Sequence, residues 1–180
     1  MKKLALALSL AASASMVQAA STGTITFTGE LTGTTCDVSV DGQGANATVT
    51  LPTIGTNQLT APGNTAGSTN FLMELTNCSG TLTTVSSFFE AGATVDNVTG
   101  RLKNTGGTAG NVTLQLRDGS SATAAVIKAG SASQVNGTTY VAYSGTPGTA
   151  TLPYMVEYYA EGATTAGTVN SSVVYSLQYK

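Results

Sequence analysis

Two cysteines and two nearby glutamates are the residues of this 180-residue chain best suited by type and spacing to do chemistry. Cys36 and Cys78 are its only thiols, and a thiol pair can form a disulfide, carry electrons or hold a metal. Redox and metal pairs use close spacing such as Cys-x-x-Cys, whereas this pair encloses a loop of 43 residues. In an oxidising compartment the expectation is one structural disulfide, which the chain-entropy relation values at about 4 kcal/mol. Glu157 and Glu161 form the candidate carboxylate pair, the arrangement glycosidases use. On a strand, positions four apart share a face about 13 Å from one another, too far for either glycosidase geometry. With Tyr158 and Tyr159 between them, they read as two solvated charges at a strand end. The chain has no histidine, which removes Ser–His and Cys–His catalysis and histidine-ligated metals. No catalytic residue, metal ligand or cofactor is expected.

The elements that would position such residues are strands. Charged residues make up 9% of the chain and hydrophobic ones 41%, with 21 glycines, a mix rich in Thr, Ser and Asn that suits strands and turns. Short apolar alternations at Cys36–Val40, Thr48–Leu51, Phe71–Leu75 and Val85–Phe89 predict strands. So do Asn111–Arg117, Ala124–Ile127, Leu152–Tyr159 and Val173–Tyr179, with Asp41-Gly42 and Asp118-Gly119 as turns. Stretches 55–70, 104–110 and 144–149 read as loops within one domain. This spacing, with one disulfide, suggests an all-β immunoglobulin-like sandwich.

The first residues indicate export. Lys2 and Lys3 precede an apolar run from Leu4 to Ala12, and Val17-Gln18-Ala19 fits the small-x-small cleavage rule. Residues 1–19 are therefore expected to be a signal peptide, cut after Ala19 or one residue later. The run is too short to cross a bilayer. Loss of Lys2 and Lys3 takes the net charge from −2 to −4, and the few remaining cations form no basic patch for nucleic acid.

Both ends carry an ordered pattern. From Thr22 to Thr34 every even position is polar, while the odd positions include Gly23, Ile25, Phe27, Gly29 and Leu31. This is either a first strand pairing within its own domain or a strand given to another molecule, and the glycines favour the second. At the other end Val173, Tyr175, Leu177 and Tyr179 share one face up to Lys180. An apolar edge strand of this kind needs a cover.

These residues resemble the subunits of bacterial chaperone–usher fimbriae, most closely the major subunits of type 1 fimbriae. The resemblance is carried by Gly23-Thr24-Ile25-Thr26-Phe27-Thr28-Gly29-Glu30, by Asn77-Cys78, and by Tyr154 to Gly162 leading to the last strand. It is also carried by the penultimate Tyr179, by Gly167 as the fourteenth residue from the end, and by Val173, Tyr175 and Leu177 at alternate positions. The resemblance implies a sandwich lacking its last strand, with residues 35–180 as the pilin domain and 20–34 as an extension donated to a neighbouring copy. Gly23 would face a filled part of the neighbour's groove. A periplasmic chaperone would first lend a strand there, holding the end of the chain at Lys180, and an outer-membrane usher would exchange it for the next subunit. The partners implied are copies of itself, other fimbrial subunits, the chaperone and the usher, and the destination is the cell surface. Small size favours the major rod subunit over a minor or adaptor subunit. The rival from another class is a free-standing carbohydrate-binding sandwich using Tyr140, Tyr143, Tyr154, Tyr158 and Tyr159.

Overall fold

A computed structural model describes residues 23–180; the expected signal peptide lies outside the described residues. The chain divides after Leu31 into two units. In the first, residues 23–31 have no regular secondary structure, and Ile25, Phe27 and Leu31 are 78%, 87% and 101% exposed.

The second unit is a two-sheet sandwich. Its strands are β1 (Thr35–Val40), β2 (Thr65–Ser79), β3 (Thr84–Phe89), β4 (Leu102–Lys103) and β5 (Val112–Asp118). They continue with β6 (Val126–Ile127), β7 (Val141–Ala142), β8 (Ser144–Gly145), β9 (Gly148–Ala160) and β10 (Tyr175–Tyr179). One sheet runs in the order β1-β2-β9-β5-β4, with β6 on β5 and β8 on β9; the other is β10-β3-β7. The pairings between strands are antiparallel. Among the described residues, helix is confined to one turn, α1 (Gln134–Gly137), and a 3₁₀ turn at Thr56–Gln58.

The alternating residues do what their period requires. Leu114 and Leu116 of β5 face inward with Met73 and Leu75 of β2 and Leu152 and Val156 of β9, and Val112 of β5 is buried in a smaller cluster with Leu59 and Ala160. Tyr154 ties the sheets together: its ring meets Phe89 edge-on at 5.1 Å, and its hydroxyl oxygen accepts from the Ser87 N–H of the opposite sheet at 2.9 Å. The disulfide Cys36–Cys78 joins β1 to β2. Asn77, beside it, adopts φ 53° at a bulge and donates to the Asp37 carboxylate at 2.8 Å, a conformation Asn tolerates better than most residues.

Several expectations are corrected. The loop assigned to 55–70 ends early, because β2 begins at Thr65 and pairs with β9 as far back as Tyr159. Its polar first half is held by a neighbour, with a register shift at Gly67, whose φ of +66° places a missing Cβ 2.8 Å from the Tyr158 ring. Residues 144–149 are not a simple loop: β8 and the start of β9 pair there. Thr48–Leu51 forms no strand, and regular pairing at the C-terminal end begins only at Tyr175. Of Ala124–Ile127, only Val126 and Ile127 pair. Glu157 is not solvated: it is 6% exposed, accepts from Arg117 at 2.6 Å and from Gln115 at 2.8 Å, and so is a paired buried charge. Glu161 accepts from Arg101 and Thr113, each at 2.8 Å.

Candidate functional site

The segments that fail to form strands are the walls of a groove. Residues 45–51 lie on one side and 169–175 on the other of a cavity of about 700 Å³. Its floor is the core itself, including Phe71, Met73, Phe89, Leu114, Leu116 and Val156. A second cavity of about 600 Å³, floored by Leu59 and Val112, continues between 53–56 and 164–169, and Val169 lines both. An Ig-like sandwich whose strands were all present would cover such residues with main chain.

The predicted groove-edge residues are brought together here. Val173, Tyr175, Leu177 and Tyr179 pack against the core cluster from the edge formed by β10 and the residues before it. β10 has one strand neighbour, β3, and its other edge has none among the described residues. The Tyr175 hydroxyl crosses to the opposite wall and donates to the Ala45 carbonyl at 2.8 Å. Burial pushes the Tyr175 phenol up from its ordinary pKa, so it stays a donor. Burial also raises the Tyr179 phenol, opposed by the Cys36 N–H and assisted by Tyr143. At the end of β10 the backbone oxygen of Lys180 accepts from Thr83 N–H at 3.1 Å, Thr84 N–H at 3.0 Å and the Thr84 hydroxyl at 2.9 Å. The Lys180 ammonium lies over the Tyr140 ring and donates to Val135 O at 2.8 Å. Gly167 sits where a Cβ would come within 2.4 Å of Ala109 N, so no side chain fits there.

The predicted donor residues belong to the first unit. Ile25, Phe27 and Leu31 are exposed, and a Cβ on Gly23 or Gly29 would meet nothing within 4 Å.

Four of the five tyrosines named for carbohydrate binding are engaged elsewhere: Tyr154 is in the core, Tyr158 donates to Pro52 O, and Tyr159 and Tyr140 carry Arg101 and Lys180 over their rings. Tyr143 packs against the core with its hydroxyl buried and without a hydrogen-bond partner. Sequence reasoning missed the 45–51 wall as a wall; its signal was Val49 and Leu51, apolar residues in a strand-like run that here has no strand partner.

A family model described as type-1 fimbrial protein, A, matches residues 51–180, most of the chain and the whole groove edge. The chain belongs to the type-1 fimbrial protein A family. Within this family and its surroundings, the chain is 43% identical over 170 residues to the major fimbrial subunit SMF-1 of Stenotrophomonas maltophilia (strain K279a), covering 93% of this chain and 98% of that one. It is 37% identical to the F17 fimbrial protein of Escherichia coli over 95% of this chain and 94% of that protein. Among solved structures, the P pilus rod subunit PapA aligns with a TM-score of 0.60 at 18% identity, over 81% of this chain and 99% of that one, a likeness of fold. As a type-1 fimbrial protein, the chain is a structural subunit of a bacterial fimbria, with the incomplete Ig-like sandwich described above.

Proposed function

We propose that the groove receives a β-strand from the N-terminal extension of a second copy, and that this exchange polymerises the subunit into the fimbrial rod. The observation that supports it most is the pairing of two deficits. Core residues lie open between two segments without strand neighbours, while Ile25, Phe27 and Leu31 stand exposed on an extension with strand period. Residues 20–34 act as the donor, with about Ser21 to Leu31 entering the groove and Ile25 and Phe27 as its main plugs. Residues 35–180 are the accepting domain. Burying each of those large side chains contributes about 1.5–3 kcal/mol. Main-chain bonds along the strand give affinity, and the alternate side chains set register. Each copy fills one neighbour and is filled by another, a head-to-tail contact that builds an open filament.

The signal peptide of residues 1–19 sends the chain to the periplasm, where a chaperone strand covers the groove until an outer-membrane usher replaces it with the next subunit. The fimbria is then displayed at the cell surface and supports adhesion; the subunit assembles and does no catalysis. The 43% identity to a major fimbrial subunit supports the rod position over an adaptor.

The test is an unboiled SDS gel of surface-sheared protein. The full chain is expected to give a heat-dissociable ladder, and a chain lacking residues 20–33 to give none. A folded monomer from the full chain, with no ladder, would overturn the proposal.

A further inference from the structure

We infer that the strand-accepting edge is eleven residues long, from Val169 to Tyr179, and that Asn104 is the positioning residue that holds its first half in strand geometry. The inference rests on the donor-strand reading above and specifies the surface that reads the donor.

In an extended chain, backbone groups of alternate residues point to opposite sides in the plane of the sheet. In the β10–β3 ladder the even-numbered residues face β3. Lys180 exchanges both backbone bonds with Thr84 at 3.0 Å, and Val174 O accepts from Glu90 N–H at 2.8 Å. The odd residues Tyr175, Leu177 and Tyr179 therefore turn their N–H and C=O groups away from β3, toward the open edge.

The same alternation continues upstream of β10, where no strand lies alongside. Ser172 O accepts from the Thr94 hydroxyl at 2.6 Å. Asn170 N–H donates to Asn104 Oδ1 at 2.8 Å, and Asn170 O accepts from Thr105 N–H at 3.1 Å. Thr168 N–H donates to the Thr108 hydroxyl at 3.0 Å, and Thr168 O accepts from Ala109 N–H at 3.0 Å and Asn104 Nδ2 at 3.1 Å. Among the described residues, no hydrogen bond involves the backbone of Val169, Ser171 or Val173. The Ser171 hydroxyl, in the groove wall, is buried without a partner.

The 104–110 loop thus does with side chains and main-chain N–H groups together what β3 does with main chain alone. Asn104 is central because one amide both accepts from Asn170 and donates to Thr168, while a further 2.9 Å bond from Nδ2 to Ala109 O fixes the loop itself. Gly107 allows the loop this close: a Cβ there would lie 2.1 Å from Thr168 O. The resulting row of outward-facing groups, Val169 to Tyr179, matches in length the eleven residues Ser21 to Leu31 of the donor.

The test is residue-resolved hydrogen–deuterium exchange on sheared, assembled filaments of the full chain. In wild-type filaments the amides of Val169, Ser171, Val173, Tyr175, Leu177 and Tyr179 are all expected to be protected. Protection confined to Tyr175, Leu177 and Tyr179 would overturn the inference while leaving donor-strand exchange standing. Protection at none of the six would remove donor-strand exchange itself, and the inference with it. In N104A filaments, Val169 and Ser171 are expected to exchange about tenfold faster, with Leu177 and Tyr179 unchanged within about twofold. No change at Val169 and Ser171, or equal acceleration at all six, would overturn the role of Asn104. If N104A does not assemble, N104D, which keeps the acceptor and loses both donors, is read by the same criteria.

Discussion

At the scale of single residues, Tyr175 does two jobs with one side chain. Its ring packs on the core beside the groove, and its hydroxyl bonds to Ala45 O on the far wall. Tyr175→Phe keeps the ring and removes the bond, so unfolding of the subunit is expected to become easier by about 1 kcal/mol, measured by urea denaturation. The same residue carries a pH signature. Burial favours its neutral form, so its folded pKa lies above the ordinary value of about 10. A raised pKa contributes stability in full below the unfolded value and loses it as pH rises through the folded value. Wild-type melting temperature is expected to hold up to about pH 10 and then fall, and Tyr175→Phe to fall less steeply. Equal slopes in the two proteins would place the alkaline loss on other tyrosines, since burial raises Tyr158 and Tyr179 too.

At the scale of elements, β1 is bound to the sandwich by its ladder with β2 and by the Cys36–Cys78 bond. Cys36→Ser is expected to destabilise the fold by about 4 kcal/mol and to lower subunit yield before any effect on strand donation. Periplasmic subunit level against filament yield checks this; full export and assembly would contradict it. Elements with a clear period of two were legible from sequence, because burial on one face leaves its mark in residue type. β5, with Val112, Leu114 and Leu116, is the example, and the shared face of Val173, Tyr175, Leu177 and Tyr179 exposed the groove edge in the same way. Thr65–Asn70 was not legible, since its small polar residues pair only because β9 lies beside them. Thr48–Leu51 misled for the opposite reason: it has the residues of a strand and lacks the neighbour. Asn104 could not be found from sequence, because its role depends on two segments more than 60 residues apart meeting at one amide.

At the scale of the whole molecule, the proposed exchange makes giving and accepting a strand separable roles of one chain. Gly23 has open space around it, so Gly23→Trp is expected to leave the folded subunit intact while barring it from its neighbour's groove. When tagged Gly23→Trp is expressed with wild type, immunogold label is expected at no more than one end of each filament. Label along the shaft would contradict the donor assignment. The alternation from Thr168 to Lys180 also bears on how this chain can change in length. Inserting or deleting one residue between Thr168 and Tyr175 exchanges the two sides of the backbone, aiming bonded groups outward and free groups at Asn104. Residues 144–147, at the β8–β9 turn, lie outside that count and can gain or lose residues without inverting it. Lineages of this chain should therefore vary in length at their turns while the spacing from Asn170 to Tyr179 stays fixed.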